Sequence, residues 1–436
     1  MIEKTFYWFR RDLRLKDNAG LYHALKNNSS VVPIFIFDKN ILEKLKEEDT
    51  RVTFLFDQIQ KLKSELNELG SDLIVEYGEP IEIWKKLLNE TQSSKIYTNK
   101  DYEPYAIERD KSIKKLVEEK HGTFHSYKDH VIFEENEILK ADGKPYTVFT
   151  PYSRKWMEKL TEECVKPYPN QEYYAHFFKA NAPSTIGSLS DMGFIRTEIR
   201  IPHIDVEPEV IQNYDKTRDI PALVDGTSRL GVHFRFGTIS IRSWGASAWQ
   251  LNQTFLSELC WRDFYQQILW HFPKVVAHSF KSKYEKIEWR NNKAEFERWC
   301  NGTTGYPLVD AGMRQLNETG YMHNRVRMVT ASFLCKHLLI DWRWGEQYFA
   351  EKLLDYDLGA NNGGWQWSAG TGCDAAPYFR VFNPESQQKK FDPKFEYIQK
   401  WVPEYGTPDY PLPMVDHKQA RERALFTYKS GLSVEA

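Results

Sequence analysis

Five short apolar or β-branched runs, Lys4–Phe9, Val31–Phe37, Asp72–Tyr77, Lys95–Thr98 and Thr123–Tyr127, punctuate the first 130 residues, with helical patterns between them. Runs of that length suit strands buried on both faces of a parallel sheet, and their alternation with helices marks a doubly wound α/β domain. In the clearest helical interval Leu55, Ile59, Leu62, Leu66 and Leu69 recur at steps of three and four. Asp49 or Thr50 is placed to cap its start and Gly70 its end. Pro80 fits the first turn of the next helix. The pattern predicts a doubly wound, five-stranded parallel sheet over residues 1–130. Its first strand runs into Arg10-Arg11-Asp12-Leu13-Arg14, where a GxGxxG turn would have to sit, so this is not an ordinary NAD site.

From Val131 to Arg200 the periodicity weakens, broken by Asp142-Gly143-Lys144-Pro145, Pro167, Pro169 and Pro183, which predicts an interdomain linker with short helices over 131–200. Residues 201–436 read as an all-α domain: Thr254–Phe272, Pro307–Glu318, His323–Leu339 and Gly345–Leu354 carry apolar residues at helical spacing. Pro307 suits a first turn and Gly320 an end. Eleven of the 14 tryptophans lie after residue 240, so the two halves have different jobs. A large aromatic core accounts for this on composition alone; the sharper reading is a site that uses rings for stacking or electron transfer.

At 436 residues, 41% hydrophobic and 28% charged, the composition is that of a soluble globular protein with two or three domains. No apolar run approaches the ~20 residues of a membrane-spanning helix. The N-terminal MIEKTFYWFRRDLRLKDN puts charge where a signal peptide needs apolar residues, so the expected location is the cytoplasm. Lys plus Arg (59) balance Asp plus Glu (61), so nucleic-acid binding would need a local basic patch. Five scattered cysteines without a CxxC pair read as free thiols, and no metal site is expected.

Four segments are candidates for chemistry. Asp225-Gly226-Thr227-Ser228-Arg229-Leu230 groups hydroxyls, a glycine and a guanidinium suited to phosphate, although TSR is also a common helix start. Trp261 and Arg262 follow Glu258 by three and four residues, on one face of a helix, as either a surface ion pair or a polar pocket with a stacking wall. Tyr321 to Met328 gathers a histidine, an amide and two arginines at a helix start, the bland account being a capped helix with a solvated basic face. Asp355 to Trp367 holds two carboxylates, three amides, three glycines and two tryptophans in thirteen positions, poor in helix formers and in core residues. A buried polar ligand explains that mixture better than a surface loop.

These residues carry a resemblance over nearly the whole chain. WFRRDLRLKDN, GTSRL, ELCWRDFY, GYPLVDAGMRQL, GYMHNRVRM, LLIDWRWGEQYF and DYDLGANNGGWQWSAGTGCDAAPYFRVFNP stand in the order found in photolyase and cryptochrome flavoproteins, and most resemble bacterial photolyases of cyclobutane pyrimidine dimers. The resemblance implies an α/β domain holding an antenna chromophore and an all-α FAD-binding domain. It implies light-driven carbon–carbon lyase activity, in which excited reduced FAD lends an electron to a pyrimidine dimer in UV-damaged DNA, the ring opens and the electron returns. A monomer is the family expectation, and a light sensor of the cryptochrome type is the alternative. A photolyase for pyrimidine-pyrimidone lesions is placed lower, because Asn324 follows His323 as in dimer repair.

By the same resemblance Tyr214, Thr227, Ser228, Arg229 and Leu230 hold the FAD phosphates and neighbouring groups, while Gly231 stands where relatives often have serine. Arg262, Asp355 and Asp357 are flavin and ribityl ligands, and Asn361 faces flavin N5. Glu258, Trp261, Asn324, Met328 and Trp367 meet the dimer, and Arg325, Arg327, Gln387, Lys389 and Lys390 meet the DNA. Trp365, Trp342 and Trp289 form an electron path from flavin to surface. Tyr102-Glu103-Pro104-Tyr105 departs from the folate-type pattern, and the second chromophore stays open among folate, deazaflavin, flavin and an empty pocket.

Overall fold

The computed structural model describes residues 4–90, 94–198 and 200–433. The chain forms two compact units, each built from three stretches: Met1–Glu137, Trp156–Ile204 and Leu230–Gln250 in the first, Ile138–Lys155, Asp205–Arg229 and Leu251–Ala436 in the second. The stretch expected as a linker is thus shared between them. In the first unit Phe177 bridges to Val31, and the backbone N–H of Tyr168 donates to Asp17 Oδ1 at 2.9 Å.

The first unit is built on one parallel sheet of five strands, β1 Lys4–Phe9, β2 Val31–Asp38, β3 Ile74–Gly78, β4 Ser94–Asn99 and β5 Thr123–Tyr127, in the order β3-β2-β1-β4-β5. Thr5 pairs with Val31 on one side of β1 and with Lys95 on the other. Because side chains alternate along a strand, Tyr7 and Phe9 pack with Leu21, Leu25, Ile59 and Leu62 of the helices Ala19–Asn27 and Thr50–Glu68. Phe6 and Trp8 pack with Trp84 and Ile113 of the helices Pro80–Asn89 and Pro104–Glu119 on the opposite face. Helices on both faces complete the doubly wound layering. Asp49 caps Thr50–Glu68 by accepting from Arg51 N–H, and Pro80 opens its helix. Beyond β1 and β4, where the strand order reverses, Asn99 Nδ2 donates to Tyr7 Oη at 2.9 Å and to Asp12 and Asn18 at 2.8 Å each.

The second unit is helical. Its main core gathers Trp299, Met313, Leu316, Val326, Phe333, Leu334, Trp342, Phe349 and Trp365. Asn252 caps the helix Gln253–His271 by accepting from the N–H groups of Thr254 and Phe255. The span expected as one helix from His323 to Leu339 is an α-helix, Asn324–Ser332, followed by a π-helical turn, Phe333–His337. The glycine-rich run expected to be poor in helix is the helix Leu358–Ala369, started by Asp357. Its glycines serve close packing: a Cβ on Gly363 would lie 2.2 Å from the Tyr265 ring. The neighbouring helix Trp342–Lys352 does the same, since a Cβ on Gly345 would lie 2.1 Å from the Trp365 indole.

Candidate functional site

Except for Leu230, the candidate residues of the flavin, dimer and DNA sites belong to the second unit. The helix Gln253–His271 carries Glu258, whose Oε1 accepts from the Arg218 guanidinium at 2.5 Å. Burial pushes the Glu258 carboxyl above the usual carboxylate range, with Arg218 opposing the shift. Arg218 lies over the Tyr214 ring at 5.3 Å, and Tyr214 meets the edge of Phe255. Trp261 is stacked on Phe149 at 3.5 Å and 7°, so one face of its indole is covered. Arg262 is half-buried one position on.

Residues 227–229 form an irregular loop rather than a helix start, with Arg229 at a φ of 53°. Thr227 Oγ1 lies 3.3 Å from Tyr321 Oη, and Arg229 lies over the Tyr321 ring at 5.0 Å. Arg229 Nε is buried with no hydrogen-bond partner. Ser228 is half-buried beside it; Leu230 falls in the first unit, at the start of the short helix Gly231–Phe236. Arg327 turns inward: its guanidinium donates to Asp355 Oδ2 at 2.8 Å and to the carbonyl of Met322 at 2.7 Å. Asp355 Oδ1 is buried without a partner. Asp357 accepts from Gln266 Nε2 at 2.7 Å. Asn361 Nδ2 donates to Glu346 Oε1 at 2.9 Å and to its carbonyl at 3.1 Å, bonds that do not use Asn361 Oδ1.

Arg325 pairs with Asp219 at 2.6 Å and lies 4.4 Å over the ring of Phe391, the last residue of the helix Pro384–Phe391. That helix carries Gln387, half-buried, and Lys389 and Lys390, exposed. The structure therefore brings Arg325 to the helix bearing the two lysines and gives Arg327 a different partner, Asp355. Asn324 is exposed at the start of its helix, and Met328 Sδ lies 3.5 Å from the Arg325 guanidinium. Trp367 and Tyr265 line a small cavity with Asn362, Cys373 and Asp374, and Tyr265 is 5.5 Å from Trp261.

Trp365 and Trp342 are buried in one core, against which Trp289 packs. The ring partners of Trp365 are Phe349 at 4.9 Å and Trp299 at 6.1 Å. Sequence reasoning did not single out Arg218, Asp219, Glu346 or Trp299, and it gave no role to Tyr321. For Glu346 and Trp299 no local signal exists, because their contacts with Asn361 and Trp365 close only in three dimensions.

The first unit contains a cavity of about 1000 Å³ between the helix Thr50–Glu68 and residues 238–244, lined among others by Lys16, Phe54, Lys61, Arg200, His203 and Trp244. Its volume is that of a small-molecule site.

Residues 5–172 match DNA photolyase, and residues 255–408 match the FAD binding domain of DNA photolyase. Fold and match together define a flavin-binding class of protein. The chain is 36% identical to a deoxyribodipyrimidine photo-lyase of Halobacterium salinarum over 97% of its own length and 98% of the relative's. It is 34% identical to an archaeal photolyase of Sulfolobus tokodaii, solved with two FAD molecules, with a TM-score of 0.83 over 98% of this chain and all of that one. A Synechocystis cryptochrome shares the fold at 24% identity, with a TM-score of 0.86 over 98% of this chain and 99% of that one. The chain belongs to the DNA photolyase family.

The residues present fit FAD. The unpaired, buried Arg229 Nε, with the Thr227 and Tyr321 hydroxyls beside it, is the donor set a diphosphate needs. The unpaired Asp355 Oδ1 and the Asn361 Oδ1 are acceptors, as a polyol and a ring N–H need.

Proposed function

We propose that the protein repairs cyclobutane pyrimidine dimers in UV-damaged DNA by light-driven electron transfer, as a monomer in the cytoplasm. Reduced FAD, when bound, supplies an electron on absorbing blue light. Thr227, Ser228, Arg229, Tyr214 and Leu230 hold its phosphate side, Arg262, Asp355 and Asp357 its ring and ribityl groups, and Asn361 presents its oxygen to N5. Glu258, Trp261, Asn324, Met328 and Trp367 receive the dimer. The carrying observation is Glu258: a half-buried carboxyl, raised by desolvation yet gripped by Arg218, on the same helix as Trp261 and Arg262. A carboxyl raised in this way retains its proton to higher pH and can donate to a dimer carbonyl as charge builds there.

Arg325, Gln387, Lys389 and Lys390 form the rim that meets DNA phosphates. Arg327, engaged with Asp355, supports the cofactor side instead. Trp365, Trp342 and Trp289 refill an oxidised flavin and take no part in ring opening. A second chromophore, of folate, deazaflavin or flavin type, belongs to the first unit; the support is the Sulfolobus relative with two FAD molecules. Purified protein given a UV-damaged thymine oligomer and blue light is the test. Restored thymines are expected, whereas absorbance changes without repair would establish a light sensor instead.

A further inference from the structure

Beside the helix Pro384–Phe391 the second unit holds a cavity of about 620 Å³, bounded on one side by residues 405–413. Its volume is in the range of a small-molecule site. Phe395 and Tyr405 are stacked in its wall, ring centroids 5.4 Å apart at 18°, and Tyr410 meets Tyr405 edge-on at 5.5 Å. Leu412, 85% exposed, stands at its edge. The loop that carries these groups is pinned. Tyr410 Oη donates to the buried Asp310 at 2.6 Å, and the N–H of Met414 to the Thr304 carbonyl at 2.8 Å. Arg314 holds Glu404 through two bonds of 2.6 and 3.0 Å, and a Cβ on Gly305 would lie 2.4 Å from the carbonyl oxygen of Leu412. The pocket is therefore formed before anything enters it, so binding there costs little ordering entropy.

The helix supplies the charges. Glu385 and Lys389 both line the cavity one turn apart, a spacing that suits an ion pair, yet among the described residues neither has an ion-pair partner. Aromatic faces, a carboxylate that accepts from an amine and an ammonium that meets a phosphate are together the set that recognises a nucleotide. The last residue of the same helix, Phe391, lies under Arg325 at 4.4 Å. A helix of eight residues spans about 12 Å, a length covered by about three or four nucleotides of one strand.

We propose that this pocket takes an unpaired nucleobase of the strand flanking the dimer, stacked on its aromatic wall, with Glu385 accepting from the exocyclic amine and Lys389 meeting the phosphate. The inference rests on the proposed DNA rim at Lys389 and adds a base preference to it. A base enters only from a single strand or an opened duplex. Thymine, which has no exocyclic amine, is the poorest fit.

The test uses the full-length protein with FAD, kept in the dark, and thymine-dimer oligonucleotides in single-stranded and paired form. 2-Aminopurine placed at successive flanking positions reports stacking by its fluorescence, and anisotropy gives the Kd. A change on binding is expected at one or two positions on one side of the dimer, in the single strand only. Tyr405→Ala is expected to remove that change and to weaken single-strand binding about tenfold, the order of one stacked base, with duplex affinity and salt slope unchanged. Glu385→Gln is expected to erase the preference for cytosine or adenine over thymine at that position. Where Tyr405→Ala costs the fold, as flavin content shows, Glu385→Gln and Leu412→Ser carry the test from exposed positions, the latter weakening single-strand binding about threefold. No responding position, single-strand affinity unchanged in these variants, or an equal loss on duplex would overturn the pocket. A proline-rich peptide that binds there while no base responds would assign it to a protein partner and overturn it too. A salt slope unchanged in Lys389→Ala would instead overturn the rim on which the inference rests.

Discussion

Two residues show how burial decides what a charged side chain is for. Arg327 was expected at the DNA, yet it is an interior partner of Asp355, itself holding one buried oxygen without a partner. Arg327→Ala would leave that carboxylate uncompensated. Breaking a buried pair costs about 3–5 kcal/mol, reduced to about 1–3 kcal/mol by the partial exposure of both side chains; urea unfolding measures it. Glu258→Gln keeps the shape but removes the carboxyl gripped by Arg218. Flavin content is expected to stay, while the repair rate of pre-reduced protein falls by about tenfold or more, in the range of a lost acid–base group; single-turnover repair under blue light measures it. The motif around Glu258 singles it out in the sequence. Its grip by Arg218 was not legible, because forty residues separate them and nothing local couples them.

At the scale of elements, the helix Leu358–Ala369 is fixed at both ends. Lys336, in the π-helical turn, donates to the carbonyl of Ala369 at 2.9 Å and of Tyr378 at 3.3 Å, beneath the Tyr428 ring at 4.0 Å. Burial pulls its pKa down to about 7. The unfolded chain, with an ordinary lysine near ~10.4, binds more protons between these values, so stability rises with pH from about 7 toward about 10. Lys336→Met is expected to flatten that rise, measured by denaturant titrations across the range. Gly345→Ala would press a methyl into the Trp365 indole and cost about 1–3 kcal/mol, read by thermal unfolding. The strands and most helices were legible because period two and period 3.6 are written locally. This helix was not: its glycines look like breakers until Tyr265 is seen lying against Gly363. The π-turn escaped for a similar reason, since Lys336 finds its carbonyl partners on a distant segment.

At the scale of the molecule, the proposed repair function, with balanced total charge, leaves DNA affinity to the rim of Arg325, Lys389 and Lys390. Three phosphate contacts predict a log–log salt slope of about −3 for duplex DNA, and Lys389→Ala should lessen it by about 1, measured by binding at graded salt. The division into units was less legible than the fold class. Residues 156–204 are polar and proline-broken, and their attachment to the first unit depends on remote contacts such as Tyr168 with Asp17. That attachment bears on biogenesis. A nascent chain leaving the ribosome cannot finish the sheet-bearing half until residue 250 has emerged, well after its strands are made. Nor can either half be excised by a single cut, and a premature stop before residue 250 would leave both unfinished.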